Sequence, residues 1–253
     1  MNTLCIIQAR MGSSRLPGKV LREVSGNHIL GHLVERLSKS SRIDHLVVAT
    51  TSNAEDDAIA AWCLSKGIDC FRGSDWDVLD RFYQAAVNQP TRPETIVRIC
   101  CDNPLHSYKV ADFVIGAFEE SGADYFSNSN EEPDYLEDGF DTEVFTFHAL
   151  EEAWKKAELL SEREHVCPYI KKHFRCAWKK AHPDYHFKLS VDTENDLLAV
   201  RRIFEELHDT PDFGVHEVVD LLHRKPEILE INKESRINEG LRKSLNEDKT
   251  IRP

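Results

Sequence analysis

Short apolar runs alternate with segments of helical spacing along most of this chain, and few folds accept that order. Residues 3–7, 45–51, 68–71 and 95–100 read as strands. Helices over 29–37, from about 55 to 66, and over 77–88 separate them. Farther on, 107–121 reads as a helix, 124–127 and 143–147 as strands, and 148–159 and 162–174 as helices. Residues 185–191 alternate as a strand, and 194–207 and 214–223 have helical spacing. Two S-x-x-E patterns, Ser52 with Glu55 and Ser161 with Glu164, mark helix starts as capping boxes. Strands separated by helices of this length make βαβ units, so the fold class is α/β with a mostly parallel sheet. No break in composition divides residues 1–230, which read as a single domain. Residues 231–253 are polar, with six basic and four acidic side chains, and read as a frayed C-terminal tail.

Charge narrows the function classes. Lys plus Arg is 32 and Asp plus Glu is 44, a net charge of −12 over 253 residues. Sequence-independent grip on nucleic acid, or on an anionic membrane, needs a basic surface, so neither partner is expected. No run approaches the ~20 apolar residues of a membrane span. The first residues lack the basic and apolar regions of a secretory signal. Seven cysteines at irregular spacing, with no C-x-x-C, read as reduced thiols of a cytoplasmic protein. The twelve histidines show no H-E-x-x-H zinc pattern, and no G-x-S-x-G elbow occurs.

The strongest local signal is the loop after the first strand, Gln8 to Lys19, QARMGSSRLPGK. Ligands of open α/β sheets bind at the carboxyl ends of strands, where this loop begins. Gly12, Ser13 and Ser14 let backbone N–H groups approach a phosphate, and Arg10, Arg15 and Lys19 supply cations. It is not a Walker A loop: five residues separate Gly12 from Gly18, and Val20 follows Lys19 where a hydroxyl would be needed. G-x-G-x-x-G is absent as well. The competing reading is a basic surface turn.

IIQARMGSSRLPGKVL, from Ile6 to Leu21, resembles the signature of the cytidylyltransferases that make CMP-activated acidic sugars. Further blocks follow in the same order: VATTSNAEDDAIA from Val48, FRGSDWDVLDRFYQAA from Phe71, VRICCDNPL from Val97, DGFDTEVFTFHALEEAW from Asp138, SEREHVCPYI from Ser161 and LSVDTENDL from Leu189. The likeness is greatest to the SpsF-like group, named for a spore coat polysaccharide biosynthesis protein. It implies a Rossmann-like three-layer fold of the nucleotide-diphospho-sugar transferase type, with a mostly parallel mixed sheet. It also implies a homodimer, with acceptor-side and dimerisation elements within about 125–185. Where the family usually has Thr-Gly-Asp-Cys-Pro, this chain has Cys100-Cys101-Asp102-Asn103-Pro104.

The implied activity is transfer of CMP from CTP to an acidic keto-sugar of the KDO, sialic or legionaminic kind, for surface polysaccharide, with release of pyrophosphate. Arg15, Lys19 and Asp102 take the catalytic roles. Ala9, Arg10, Gly12, Ser13, Ser14, Arg15, Lys19, Thr50, Thr51 and Arg81 are the nucleotide-binding set. Asp102 and Asp192, each placed after a strand, are the pair the resemblance assigns to Mg2+; alone, either could cap a helix. Asp141, Glu143, Arg163, Glu164 and His165 are the acceptor-side candidates, though Glu164 fits a capping box and His165 a packed imidazole equally well. Arg81 could instead form a surface ion pair, and Thr50 and Thr51 simply end a strand. Two other enzyme readings remain: transfer to a phosphorylated small molecule with a CDP-linked product, and a glycosyltransferase. A nucleotide-binding protein without turnover is the reading from another class.

Overall fold

The computed structural model describes every residue except 1, 131–135, 238–243, 246–247 and 252–253. Among the described residues the main sheet has seven strands in the order β5-β4-β1-β6-β8-β7-β9. They are β1 (Thr3–Gln8), β4 (His45–Thr51), β5 (Asp69–Gly73), β6 (Thr95–Cys100), β7 (Tyr125–Ser127), β8 (Glu143–Thr146) and β9 (Cys176–Trp178). A two-stranded ribbon, β2 (Glu23–Val24) with β3 (Asn27–His28), stands apart. Strands β5, β4, β1 and β6 run parallel. Only β8 is reversed, antiparallel to β6 and β7, while β9 again runs parallel to β7.

Alternation along β1 explains the layers. Leu4 and Ile6 point into one core with Phe82, Phe145 and Leu150; Cys5 and Ile7 point into the other with Leu33, Val114 and Ile203. Each strand buried on both faces reads as a continuous apolar run, as a parallel sheet requires. One outer layer holds α3 (Val78–Val87), α5 (Phe147–Lys156), α6 (Leu160–His165) and α7 (Pro168–His173). The other holds α1 (Ile29–Leu37), α2 (Asp57–Lys66), α4 (Tyr108–Ser121), α8 (Glu194–Glu206), α9 (Val215–Arg224) and α10 (Glu227–Glu230). The fold is the three-layer α/β arrangement that the sequence implies.

Four expectations are corrected. Ser52 and Glu55 form no capping box: α2 is preceded by a 3-10 turn, Ala54–Asp56, whose N-cap residue Asn53 makes no side-chain cap. Residues 162–174 are two helices, α6 and α7, because Pro168 starts the second and cannot continue the first. Ser161 and Glu164 do not cap α6 together. The Glu162 carboxylate accepts from the Glu158 and Leu159 amides at 3.0 and 3.1 Å instead. Finally, residues 185–191 are extended but join no sheet. Tyr185, Phe187, Leu189 and Val191 are buried as the alternation demands, yet β6 already has a partner on each side. The segment is fastened by the Asp138 carboxylate, which accepts from the Leu189 and Ser190 amides at 2.7 and 2.6 Å, and by Val191 N–H donating to the Asp102 carbonyl at 2.8 Å.

Among the described residues of 231–253, Asn232, Asp248 and Ile251 are tied to the rest of the fold rather than frayed. Asn232 is buried and donates to Asp196 and to the Lys188 carbonyl, both at 3.0 Å. Asp248 accepts from the Ser161 amide and hydroxyl, at 3.0 and 2.6 Å. Ile251 N–H donates to the Glu158 carbonyl at 2.8 Å.

Candidate active site

The sheet's order reverses at β1: β4 and β5 lie to one side of it and β6 to the other. Loops after β1 and β6 therefore separate and leave a crevice at the carboxyl ends of the strands. The loop after β1 is folded back on itself. Ser13 and Gly18 both donate backbone N–H to the Met11 carbonyl, at 2.8 and 2.9 Å. Gly18 has φ +70, a left-handed conformation that returns the chain to the short 3-10 turn Lys19–Leu21. Met11 N–H in turn donates to Asp56 at 2.7 Å, and the same carboxylate accepts the Thr51 hydroxyl. Arg10, Gly12, Ser13, Ser14, Arg15 and Lys19 line one cavity of about 450 Å³ with Gln8, Cys100, Asp102 and Asp192.

Lys19 is the hub of this crevice. Its Nζ lies 2.8 Å from Asp102, 3.0 Å from Asp192 and 2.7 Å from the Val191 carbonyl. Burial alone would depress the ammonium, but the charges of Asp102 and Asp192 outweigh it and raise the group above the ordinary lysine value. Arg15 reaches Asp192 at 3.1 Å, and Lys188 reaches its other oxygen at 3.0 Å. Burial pushes the Asp192 carboxyl up, yet Lys19 and Lys188 prevail and hold it well below the usual carboxylate range. Two carboxylates from separate elements thus face one cation at the bottom of the crevice.

A second cavity, of about 290 Å³, opens on the other side of this hub and shares Arg15, Cys100, Asp102 and Asp192 with the first. Its wall includes Arg98, Asn103, Asp138, Asp141, Glu143, His165, Cys167 and Lys171. Glu143 is bound by Arg98, by Lys171 at 3.2 Å and by the Tyr125 hydroxyl at 2.7 Å. Burial would raise the Glu143 carboxyl, but Lys171 and Arg98 override it and lower it well below the usual range. Asp141 goes the other way. Burial, with Asp138, Asp102 and Glu143 nearby, pushes it up to about 7. It accepts from the Asn103 side chain at 3.0 Å. Beside this wall Val166 has φ +67, and Cys167 N–H donates across it to the His165 carbonyl at 2.7 Å. A tight turn of that sign is costly for a β-branched residue.

The expected residues divide clearly. Asp141, Glu143 and His165 all line the second cavity. Arg163 does not: it is buried in an ion pair with Asp77, with Nε 2.9 and 3.0 Å from the two carboxylate oxygens, and it also donates to the Trp154 carbonyl. Glu164 accepts from Ser244 at 2.7 Å and lines neither cavity. Of the nucleotide set, Ala9, Thr50, Thr51 and Arg81 are not in the lining of the first cavity. Ala9 N–H ties β1 to the Ala49 carbonyl. Arg81 packs on Gly73 and donates to the Ser74 carbonyl at 2.9 Å, and burial pulls its guanidinium down to about 10. Its Nε and Nη2, and the Thr50 hydroxyl, are buried without a partner among the described residues. Asp56, Arg98, Asn103, Asp138 and Lys171 were missed by sequence reasoning. Their only signal is membership of the blocks quoted above, and Lys171 lies just beyond one.

A family model described as Cytidylyltransferase matches residues 4–238. This chain belongs to the cytidylyltransferase family. It is 39% identical over 246 residues to an uncharacterized protein of Methanocaldococcus jannaschii, covering 93% of this chain and 96% of that one. It is 33% identical over 232 residues to the spore coat polysaccharide biosynthesis protein SpsF of Bacillus subtilis, covering 88% and 95%. Among solved structures, a cytidylyltransferase from Leptospira borgpetersenii superposes with a TM-score of 0.83 at 29% identity, covering 90% and 97%. The cytidylyltransferase is therefore a nucleotidyltransferase. Among the described residues no helix is long and apolar enough to cross a membrane.

Proposed function

We propose that this cytidylyltransferase transfers CMP from CTP to an acidic keto-sugar used for surface polysaccharide. One observation carries the reading: the phosphate-loop cavity and the polar second cavity meet at Arg15, Asp102 and Asp192. A nucleotide bound in the first would present its α-phosphorus at that junction to an acceptor bound in the second. Transfer joins an acceptor hydroxyl oxygen to the α-phosphorus as the bond to pyrophosphate breaks, and the hydroxyl proton is lost. Arg15 and Lys19 neutralise charge on the departing pyrophosphate. Gly12, Ser13 and Ser14 offer close-range donors to the phosphates. Arg81 and Thr50, with their unpartnered buried donors, serve the base or the sugar behind the loop.

The donor set at the junction suits magnesium. Asp102 and Asp192 are hard oxygen ligands that already share one cation, the Lys19 ammonium, and magnesium completes its shell with water and substrate phosphate. When bound there, the ion supplies charge neutralisation and alignment of the triphosphate. The seven cysteines are free thiols, in keeping with a cytoplasmic enzyme. The homodimer implied by the resemblance belongs to the same reading, and light scattering tests it.

The test is pyrophosphate release from CTP and Mg2+ across a panel of keto-acid sugars and phosphorylated polyols. Release with a keto-acid sugar, giving a product with one phosphorus by NMR, is the expected result. A product with two phosphorus atoms would replace this reading with a CDP-linked one. CTP binding without turnover on any acceptor would replace it with a nucleotide-binding protein.

A further inference from the structure

Buried polar atoms that lack a partner gather at one place. Arg98 Nε, Asn103 Oδ1 and His165 Nε2 each have no hydrogen-bond partner among the described residues, the Glu164 carboxylate lying 3.8 Å from the last, and all three residues line the second cavity. A desolvated donor or acceptor without a partner destabilises a fold, so a cluster of them in a cavity marks what a ligand satisfies. Arg98 is the most constrained of the three. It projects from the central strand β6, and its side chain is 13% exposed. Glu143 holds one end of the guanidinium, and Gln8 accepts from the other at 3.3 Å. Glu143 is itself fixed by Tyr125 and Lys171. With both terminal nitrogens engaged, the Nε–H keeps one direction and asks for one oxygen.

We propose that Arg98 is the residue that binds the acceptor's carboxylate, through Nε, and that Asn103 Oδ1 accepts from a neighbouring acceptor hydroxyl. The proposal rests on the acceptor reading above and names its chemistry as a hydroxy monocarboxylic acid. A permanently charged guanidinium suits a carboxylate oxygen. The surroundings select against more charge. Asp138, Asp141 and Glu143 line the same cavity together with Arg15, Arg98 and Lys171, so a second negative charge on the ligand meets carboxylates that a monoanion held at Arg98 meets less.

The test is equilibrium binding to the full chain, with KDO, N-acetylneuraminate, the methyl ester of each, and glycerol 3-phosphate as probes. One of the acids should bind, and its ester should bind about 10- to 100-fold more weakly, the worth of one charge-assisted hydrogen bond. Arg98→Lys, which keeps a charge beside Glu143, should weaken the acid by a similar factor and leave its ester and CTP within twofold. Wild-type binding of acid against ester stands even if the variant fails to fold. Equal affinity for acid and ester, preference for glycerol 3-phosphate, an unweakened Arg98→Lys, or no binding of either acid overturns the proposal. Failure of the catalytic reading looks different: the acid binds, but no pyrophosphate appears.

Discussion

The two halves of the crevice are built by opposite means. The nucleotide half is mostly one loop, Arg10 to Lys19, with its cations and small residues consecutive in the chain. Its support comes from one carboxylate, Asp56, and from one glycine in a left-handed conformation. The other half, proposed for the acceptor, draws on β6, the segments around Ser127 and Asp141, α7 and the extended segment at Ser190. Its groups are held by ion pairs and hydrogen bonds between residues far apart in sequence, such as Arg98 with Glu143. On the proposed reading, a local loop fixes the common chemistry, the triphosphate. A wall assembled from distant parts can vary one part at a time, which suits selection among acceptors.

Substitutions separate the halves by which kinetic constant they move. Lys19→Ala should lower kcat by about 10³-fold, because it removes a cation placed where charge develops. Its melting temperature should stay near wild type, since Arg15 and Lys188 still hold Asp192. Turnover within tenfold of wild type would remove Lys19 from the catalytic set. Arg163→Met should cost about 3–5 kcal/mol of stability by leaving Asp77 buried without its partner. Denaturant unfolding measures that loss, and neither KM should change. A raised acceptor KM at unchanged stability would return Arg163 to the acceptor wall.

Thr50→Val tests the space behind the loop. The hydroxyl is buried and unpartnered, so its loss should stabilise the chain by about 1 kcal/mol while raising the CTP KM about 3- to 10-fold. An unchanged KM would make Thr50 a plain strand end. The smallest effect concerns Asp141 and is read in metal-free protein. Its folded value, about 7, lies above an unfolded value of roughly 3.9. Between those values the folded state binds more protons than the unfolded one, so this group's contribution to stability falls as pH rises through that window. Asp141→Asn should therefore raise the melting temperature at pH 8 and leave it nearly unchanged at pH 4. An equal shift at both would show an ordinary surface carboxylate.

The sequence disclosed whatever is local. Strands β4 and β6 have the bounds their apolar runs suggest, and the phosphate loop is recognisable from twelve consecutive residues. Asp102 was placed correctly at the sheet's carboxyl edge because one strand leads directly to it. Asp192 arrives by a different route, from an extended segment pinned to Asp138, and alternation alone cannot tell a ladder from a tethered strip. Arg163 and His165 show the limit most clearly. Two residues apart on α6, one faces an ion pair with Asp77 and the other the cavity, and only the packing of α6 against α3 decides which. Arg98 was hidden for a related reason: a cation in a strand reads as an interruption until Glu143 is seen beside it.

The bonds from Lys19 to its two carboxylates also set an order in time. Asp102 lies 83 residues after Lys19 and Asp192 lies 173 after it. At about 5–20 residues per second, a ribosome delivers Asp192 roughly 10 to 35 seconds after the loop it neutralises. The crevice closes electrostatically only once Asp192 has been made, so the loop is completed long after its own residues are joined.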